Sequence, residues 1–219
     1  MGTWNGQRLA GAAGLLFVVS ILVSGFMVAP PPSPDEPATK FLAYYSDHRN
    51  VLLVQAILGL LAIIPAFVFA AGLWNLLRSE DREGGVLASA AIFSFIASGS
   101  LAVLISAWFG ALGYLGNGHG LTEDSAKTLS VLAAVLNQAF FAPLALTTGG
   151  SGLLLTRGTS VPRWIGWIGL AAAVLAVVGV FSIANSGVFA PFGIAFFAAF
   201  LSFAAYVAVL SVFMWRRAT

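Results

Sequence analysis

Among the uncharged polar side chains inside otherwise apolar stretches of this sequence, five are candidates for a binding site: Gln55, Ser98, Asn137, Gln138 and Tyr206. They offer hydrogen-bond donors and acceptors without a charge. An unsatisfied amide in hydrocarbon costs several kcal/mol, so we expect these groups to face the interior of a helical bundle. They predict either a polar pocket near the membrane midplane, for a small polar or lipophilic solute, or hydrogen-bonded contacts that only join helices.

Asn137 and Gln138 lie next to an expected helix kink, because Pro143 follows six residues after Asn137 and cannot donate a backbone hydrogen bond. Consecutive helical residues diverge by about 100°, so the two amides cannot share one partner. We expect Asn137, rather than Gln138, to bond a neighbouring helix, with Tyr206 or Ser98 as its partner.

A second group of candidate residues, Asp47, His48 and Arg49, directly precedes an apolar stretch. An acid beside a histidine could serve a hydrolase acting on lipid, but no G-x-S-x-G motif accompanies it. The alternative is that these residues solvate and cap the start of a helix. The only other histidine is His119, and its spacing from His48, Glu123 and Asp124 matches no metal-ligand signature. Cysteine is absent, and neither a metal nor a cofactor is predicted.

The elements that position these groups are six long apolar runs, from which all charged residues are excluded. The chain is 59% hydrophobic and 8% charged, against about 25% charged in soluble domains. Each run is long enough to cross a bilayer as a helix. We predict one all-α domain over residues 1–219, with a retained first span; the spans are 9–29, 51–77, 86–114, 129–155, 164–184 and 188–215. Prolines should kink the second span (Pro65) and the fourth (Pro143).

The arginines and lysines predict the orientation of the bundle. Seven lie at one set of span boundaries and three (Lys40, Arg49, Lys127) at the other; the seven are Arg8, Arg78, Arg82, Arg157, Arg163, Arg216 and Arg217. By the positive-inside rule both termini are cytoplasmic. Five of the six tryptophans lie at the same boundaries: Trp4, Trp74, Trp164, Trp167 and Trp215.

The segment between the first two spans changes character along its length. It begins with a proline-rich stretch, 30–37, that cannot continue a helix. From residue 38 to 48 the aromatic residues Phe41, Tyr44 and Tyr45 follow helical spacing with His48. This pattern predicts a short helix lying in the outer membrane interface.

Several boundary segments resemble a group of uncharacterised six-span bacterial membrane proteins, common in actinobacteria and classed as a domain of unknown function. The matching segments are YSDHR (45–49), LWNLLR (73–78), VPRWIGWIGL (161–170) and MWRR (214–217). The resemblance implies a six-helix architecture in the bacterial inner membrane. It supplies no activity or site residues.

The composition thus leaves three functional hypotheses. The leading one is a non-enzymatic membrane protein with an accessory, stress-related or scaffold-like role. The second is a carrier of a small solute or lipophile that uses the midplane polar residues. The third is an enzyme at the outer surface. Lipid is the expected partner, nucleic acid is not, and homo-oligomerisation stays open. The eighteen phenylalanines, including Phe140-Phe141 and Phe196-Phe197, are expected to face lipid or fill the core.

Overall fold

A computed structural model describes residues 3–81, 84–116, 118, 120–182 and 187–217, with side chains from residue 6 onward. In this part of the chain the secondary structure is entirely helical. The helices are α1 (Thr3–Phe26), α2 (Ala38–Asp47), α3 (Arg49–Leu61), α4 (Ile63–Glu80), α5 (Val86–Leu115), α6 (Glu123–Arg157), α7 (Arg163–Val180) and α8 (Ile194–Arg217). Helices suit these runs because every backbone hydrogen bond is made within the segment, where lipid offers no partner.

Six helical segments of the described chain are long and apolar enough to cross a membrane, α3 and α4 together forming the second. The predicted all-α, six-span fold class is confirmed, and the chain is a multi-pass membrane protein. Arg82, which entered the charge count, and residues 183 and 184, in the predicted fifth span, lie outside the described residues.

Pro65 and Pro143 affect their helices differently. The second span is interrupted at Ala62, between α3 and α4, three residues before Pro65. Pro143 lies within α6, and the helix continues past it to Arg157. Ala62 keeps helical backbone angles (φ −61°, ψ −20°), and the kinks expected at Pro65 and Pro143 stay predictions.

The last two spans are shorter than the sequence indicated. The helix of the fifth span, α7, ends at Val180 instead of residue 184. The helix of the sixth span, α8, begins at Ile194 instead of residue 188. Turns occupy 188–193, where Phe192 has a left-handed backbone (φ 58°). Pro191 and Gly193 flank this residue, and both disfavour a continuous helix.

The spans form a closed ring in which each packs against its neighbours in sequence. The α1 helix contacts α4, the α3–α4 segment contacts α5, and α5, α6, α7 and α8 follow in order until α8 meets α1. Successive spans alternate in direction. We call the end that holds the start of α1 and the end of α8 the terminal half, and the opposite end the α2 half.

The terminal half is closed by small residues. A Cβ placed on Gly11 of α1 would lie 2.6 Å from the carbonyl oxygen of Ser211 and 2.8 Å from the backbone nitrogen of Trp215, both in α8. A Cβ on Gly152 of α6 would lie 2.8 Å from the oxygen of Gly166 in α7. The backbones of neighbouring helices therefore touch here.

The short helix α2 forms where it was predicted. Tyr45 is 0% exposed and Phe41 is 1% exposed, and both pack with Leu52, Leu112 and Ala126. Lys127 of α6 donates to the carbonyl oxygen of Glu36 at 2.8 Å, just before α2. The helix is thus held against the α2 half of the bundle.

Candidate binding cavity

A cavity of about 210 Å³ lies along the ring axis, from mid-bundle into the α2 half. Its walls come from α1, α3, α4, α5, α6 and α8, with Tyr44 from α2, and the α7 helix does not contribute. Gly25, Ala29 and Pro30 line the cavity and are also exposed. The cavity therefore opens near the end of α1, where the proline-rich segment begins.

Phenylalanine is the most frequent residue type in the cavity wall. Ten of the residues that line the cavity are phenylalanines: Phe17, Phe95, Phe109, Phe140, Phe141, Phe192, Phe196, Phe197, Phe200 and Phe203. The rings form a connected set centred on Phe196, which lies 4.9 Å from Phe192 and 5.2 Å from Phe141 between ring centroids. At the closed end Phe17 packs edge-on against Phe95 and Phe203, each at 6.2 Å. These bulky side chains hold the helices apart.

Three of the five sequence-predicted polar residues line this cavity: Gln55, Ser98 and Asn137. The Gln55 side-chain oxygen is buried and has no hydrogen-bond partner among the described residues. Asn137 Nδ2 donates to the carbonyl oxygen of Ala133 at 2.9 Å, and Ser98 Oγ donates to that of Ser94 at 3.0 Å. Asp, Glu, Lys, Arg and His are all absent from the described lining. The polar surface of the cavity is therefore sparse and uncharged.

The other two predicted residues, Gln138 and Tyr206, lie elsewhere. Gln138 is 5% exposed, and its Nε2 donates to the carbonyl oxygen of Ser182, beyond the end of α7. Tyr206 of α8 donates its hydroxyl hydrogen to Ser151 Oγ of α6 at 2.8 Å, and both residues are buried. These bonds join helices behind the cavity wall.

The expectation that Asn137 bonds Tyr206 or Ser98 was therefore wrong. Asn137 bonds its own helix, and Gln138 makes the contact outside α6. The reason is the rotation of α6: Asn137 faces the ring axis, and the next residue, about 100° away, points towards the end of α7.

The open end of the cavity is fixed by α2. The Tyr44 hydroxyl donates to the carbonyl oxygen of Ala29 at 2.7 Å, which ties the proline-rich segment to α2. Tyr45 donates to Ser130 Oγ at 2.9 Å, which ties α2 to α6. Burial raises the pKa of both phenols. For Tyr44, the neighbouring Tyr45 raises the pKa further. For Tyr45, the hydrogen bond to Ser130 opposes the effect of burial, and the pKa is about 12.

With the fold and the cavity described, the chain can be compared with known proteins. A family model described as a domain of unknown function (DUF4386) matches residues 9–215. The chain belongs to this family. The match confirms the resemblance drawn from the boundary segments, whereas the expected prevalence in actinobacteria stays a prediction. No curated protein and no solved structure matches the chain significantly.

The outer-surface candidates of this DUF4386 protein form a helix junction. His48 lies between α2 and α3, and its Nδ1 donates to the carbonyl oxygen of Tyr44 at 3.0 Å. Its ring also stacks on Tyr44, with 4.7 Å between centroids. Asp47 is exposed, and Arg49 has a buried Nε without a partner in the described structure. None of the three lines the cavity.

The described residues contain no cluster of three or more His, Asp or Glu side chains that could hold a metal ion. His119, the second histidine weighed above, lies outside these residues. What the sequence did not suggest is that phenylalanines of this chain line a cavity. A signal was present: Phe196, Phe200 and Phe203 recur at helical spacing and mark one face of α8.

Proposed function

We propose that this protein binds a neutral lipophile, a molecule with an apolar body and one small uncharged polar group, and that it is not an enzyme. The observation that carries the proposal is the cavity, whose wall is mainly apolar, with ten phenylalanines, and whose polar groups are few. A dry apolar cavity of about 150 Å³ is already sufficient to bind a benzene-sized ligand. Pockets for small molecules are typically apolar with a few convergent polar groups.

The preference for a neutral ligand follows from the cost of burying charge. An ion moved into an apolar site without a counter-charge loses far more solvation energy than a hydroxyl or carbonyl group. No described lining residue offers a counter-charge. The Gln55 oxygen, buried and unpartnered, is an acceptor for a ligand hydroxyl. A long-chain alcohol or a similar hydroxylated lipid fits this chemistry.

The shape of the cavity favours holding or delivering a ligand over moving it across the membrane. The exposed residues among the described lining, Gly25, Ala29 and Pro30, all lie near the end of α1, so the cavity opens at the α2 half. With the cytoplasmic termini predicted by the positive-inside rule, this opening faces the outer leaflet of the bacterial inner membrane. An accessory role in lipid handling combines the first two functional hypotheses.

Blocking the cavity tests the proposal. Ala102 lines it, whereas Ala107, on the same helix, is exposed and does not. The probe is N-phenyl-1-naphthylamine, a neutral apolar fluorophore, titrated into detergent-solubilised protein against a detergent blank. We expect saturable binding to the wild type and to Ala107→Phe, and at least about tenfold weaker binding to Ala102→Phe, because the added ring occupies the site.

Equal binding by all three proteins would place the probe on the lipid-exposed surface and would contradict the proposal. Both variants must give a single symmetrical size-exclusion peak. If Ala102→Phe fails this requirement, Gly25→Val replaces it, because a Cβ at Gly25 meets only Phe200 at an ordinary contact distance of 3.4 Å.

A further inference from the structure

A second concavity lies in the terminal half, between the start of α7 and the end of α8. It is separate from the cavity, since the two share no lining residue. The floor is apolar: Val161 is 4% exposed and Ile165 1% exposed. The side wall is formed by the α8 residues Ala208, Val209, Val212 and Phe213. We call this the α7–α8 groove.

The rim of the groove is cationic and aromatic. Arg216 and Arg217, in the last turn of α8, line it, and Trp164 lines it with 56% of its surface exposed. No Asp or Glu is among the described lining residues. Glu80 contacts the same loop, but its carboxylate already accepts hydrogen bonds from the backbone N–H groups of Thr159 and Ser160, at 2.9 and 3.2 Å.

We propose that the α7–α8 groove binds an anionic phospholipid, with the phosphate between Arg216 and Arg217 and an acyl chain along the apolar floor. The charge and the shape point to the same occupant. Guanidinium groups bind phosphate oxygens through several donors at once, and the apolar α8 wall runs from Phe213, next to this rim, back to Ala208, towards the bundle midplane. Basic pockets between spans are a recurrent form of anionic-lipid site. The inference is independent of the ligand proposed for the cavity.

The experiment uses the delipidated full chain in a neutral detergent, and native mass spectrometry counts bound lipid. The probes are dioleoyl-phosphatidylglycerol and dioleoyl-phosphatidylcholine, which differ in net charge but not in acyl chains. We expect the wild type to prefer phosphatidylglycerol. The double variant Arg216→Gln/Arg217→Gln should bind it about 30-fold more weakly, roughly fivefold for each charge removed.

Two matched controls distinguish a built site from general attraction to positive charge. Arg78→Gln removes a guanidinium that lies over Trp74 in the terminal half but not in the groove, so phosphatidylglycerol binding should be retained. Ala208→Trp fills the groove and keeps both arginines, and should lose binding. Ala205→Trp, on an exposed face of α8, should keep it.

Three results would overturn the inference. The first is no preference for phosphatidylglycerol in the wild type. The second is an equal loss in Arg78→Gln and in the double variant, which would indicate diffuse electrostatics. The third is phosphatidylglycerol binding by Ala208→Trp that equals wild-type binding, which would place the lipid outside the groove. Dissociation of a dimer by the same change would also overturn the inference, because it would assign the groove to a second copy of the chain. Size-exclusion profiles confirm that each variant is folded.

Discussion

The two halves of this bundle contain the same six spans, but the cavity described above lies from mid-bundle into one of them. In the terminal half, glycines bring helix backbones into contact: Gly11 of α1 faces the backbone of α8, and Gly152 of α6 faces that of α7. In the α2 half, phenylalanines occupy the same ring axis and leave a cavity of about 210 Å³. In this bundle, side-chain size along the helices contributes to where open space remains.

The α1 helix contains both kinds of packing, close backbone contact and contact with an aromatic ring. Gly11 has backbone atoms of α8 within 2.8 Å of its Cβ position, whereas Gly25 meets only the ring of Phe200, at 3.4 Å. The first glycine is required for close packing. The second lies where the wall is aromatic and the helices stand further apart. Single substitutions on α1 therefore test whether the two halves differ in packing.

The largest effect is expected at the packed end. Gly11→Ala should lower the free energy of unfolding by about 2–3 kcal/mol, because the new methyl group overlaps backbone atoms that cannot rotate away. Gly25→Ala is the matched control and should be neutral or stabilising by up to about 1 kcal/mol, since alanine is the better helix former. Unfolding in mixed micelles with increasing dodecyl sulfate measures both. Equal losses would remove the distinction between the halves.

The next effect concerns the charge of the ligand. Dodecanol should displace N-phenyl-1-naphthylamine from the wild type, whereas dodecanoate and dodecyltrimethylammonium should be at least about tenfold weaker, because the cavity lacks a counter-charge. Fluorescence titration at one detergent concentration compares the three. If either ion competes as well as the alcohol, a charged group reaches the cavity and the assignment of a neutral ligand is wrong.

A smaller pair of effects separates a cavity residue from a purely structural one. Gln55→Leu removes a buried oxygen without a partner, so stability should be unchanged or rise by up to about 1 kcal/mol, while dodecanol binding weakens about fivefold. Tyr206→Phe should do the reverse. It loses the bond to Ser151, costs about 1 kcal/mol and leaves binding intact. The same unfolding and displacement assays apply, and parallel behaviour of the two variants would refute the division.

The smallest effect appears only at alkaline pH. Burial raises the pKa of Tyr45 to about 12, above its usual value of about 10, so the neutral phenol is favoured in the folded state. The stabilisation of the folded state by the neutral Tyr45 phenol is complete below pH 10 and is lost as the pH rises from 10 to 12. The unfolding free energy should fall across this window, and Tyr45→Phe should fall less steeply. Identical slopes would show that Tyr45 ionises freely.

The number of membrane spans could be predicted from the sequence, because the length of an apolar run and the exclusion of charge from it depend only on the thickness of the hydrocarbon core. The short helix at 38–48 was also predicted, since Phe41, Tyr44 and Tyr45 share one face. The cavity was only half predicted. Gln55, Ser98 and Asn137 could be assigned to the bundle interior from the cost of burying amides and hydroxyls. Which of two adjacent amides faces the axis depends on helix rotation, so Asn137, rather than Gln138, was wrongly expected to bond outside its own helix.

The phenylalanine wall was missed for a related reason. A phenylalanine facing lipid, the core or a cavity carries the same hydropathy, and the sequence does not reveal how far apart the helices stand. The start of α8 was misplaced because Val188, Phe189 and Ile194 continue the apolar run across the turns around Pro191.

The most direct test is the mass of whatever the protein retains from its native membrane. Wild type, Ala102→Phe and Ala107→Phe are purified in the same mild detergent, and extracted lipids are identified by mass spectrometry and normalised to protein. We predict one neutral, hydroxyl- or carbonyl-bearing lipid per chain in the wild type and in Ala107→Phe, and its loss from Ala102→Phe. The same lipid in equal amounts in all three proteins, or an ionic species lost only from Ala102→Phe, would contradict the account.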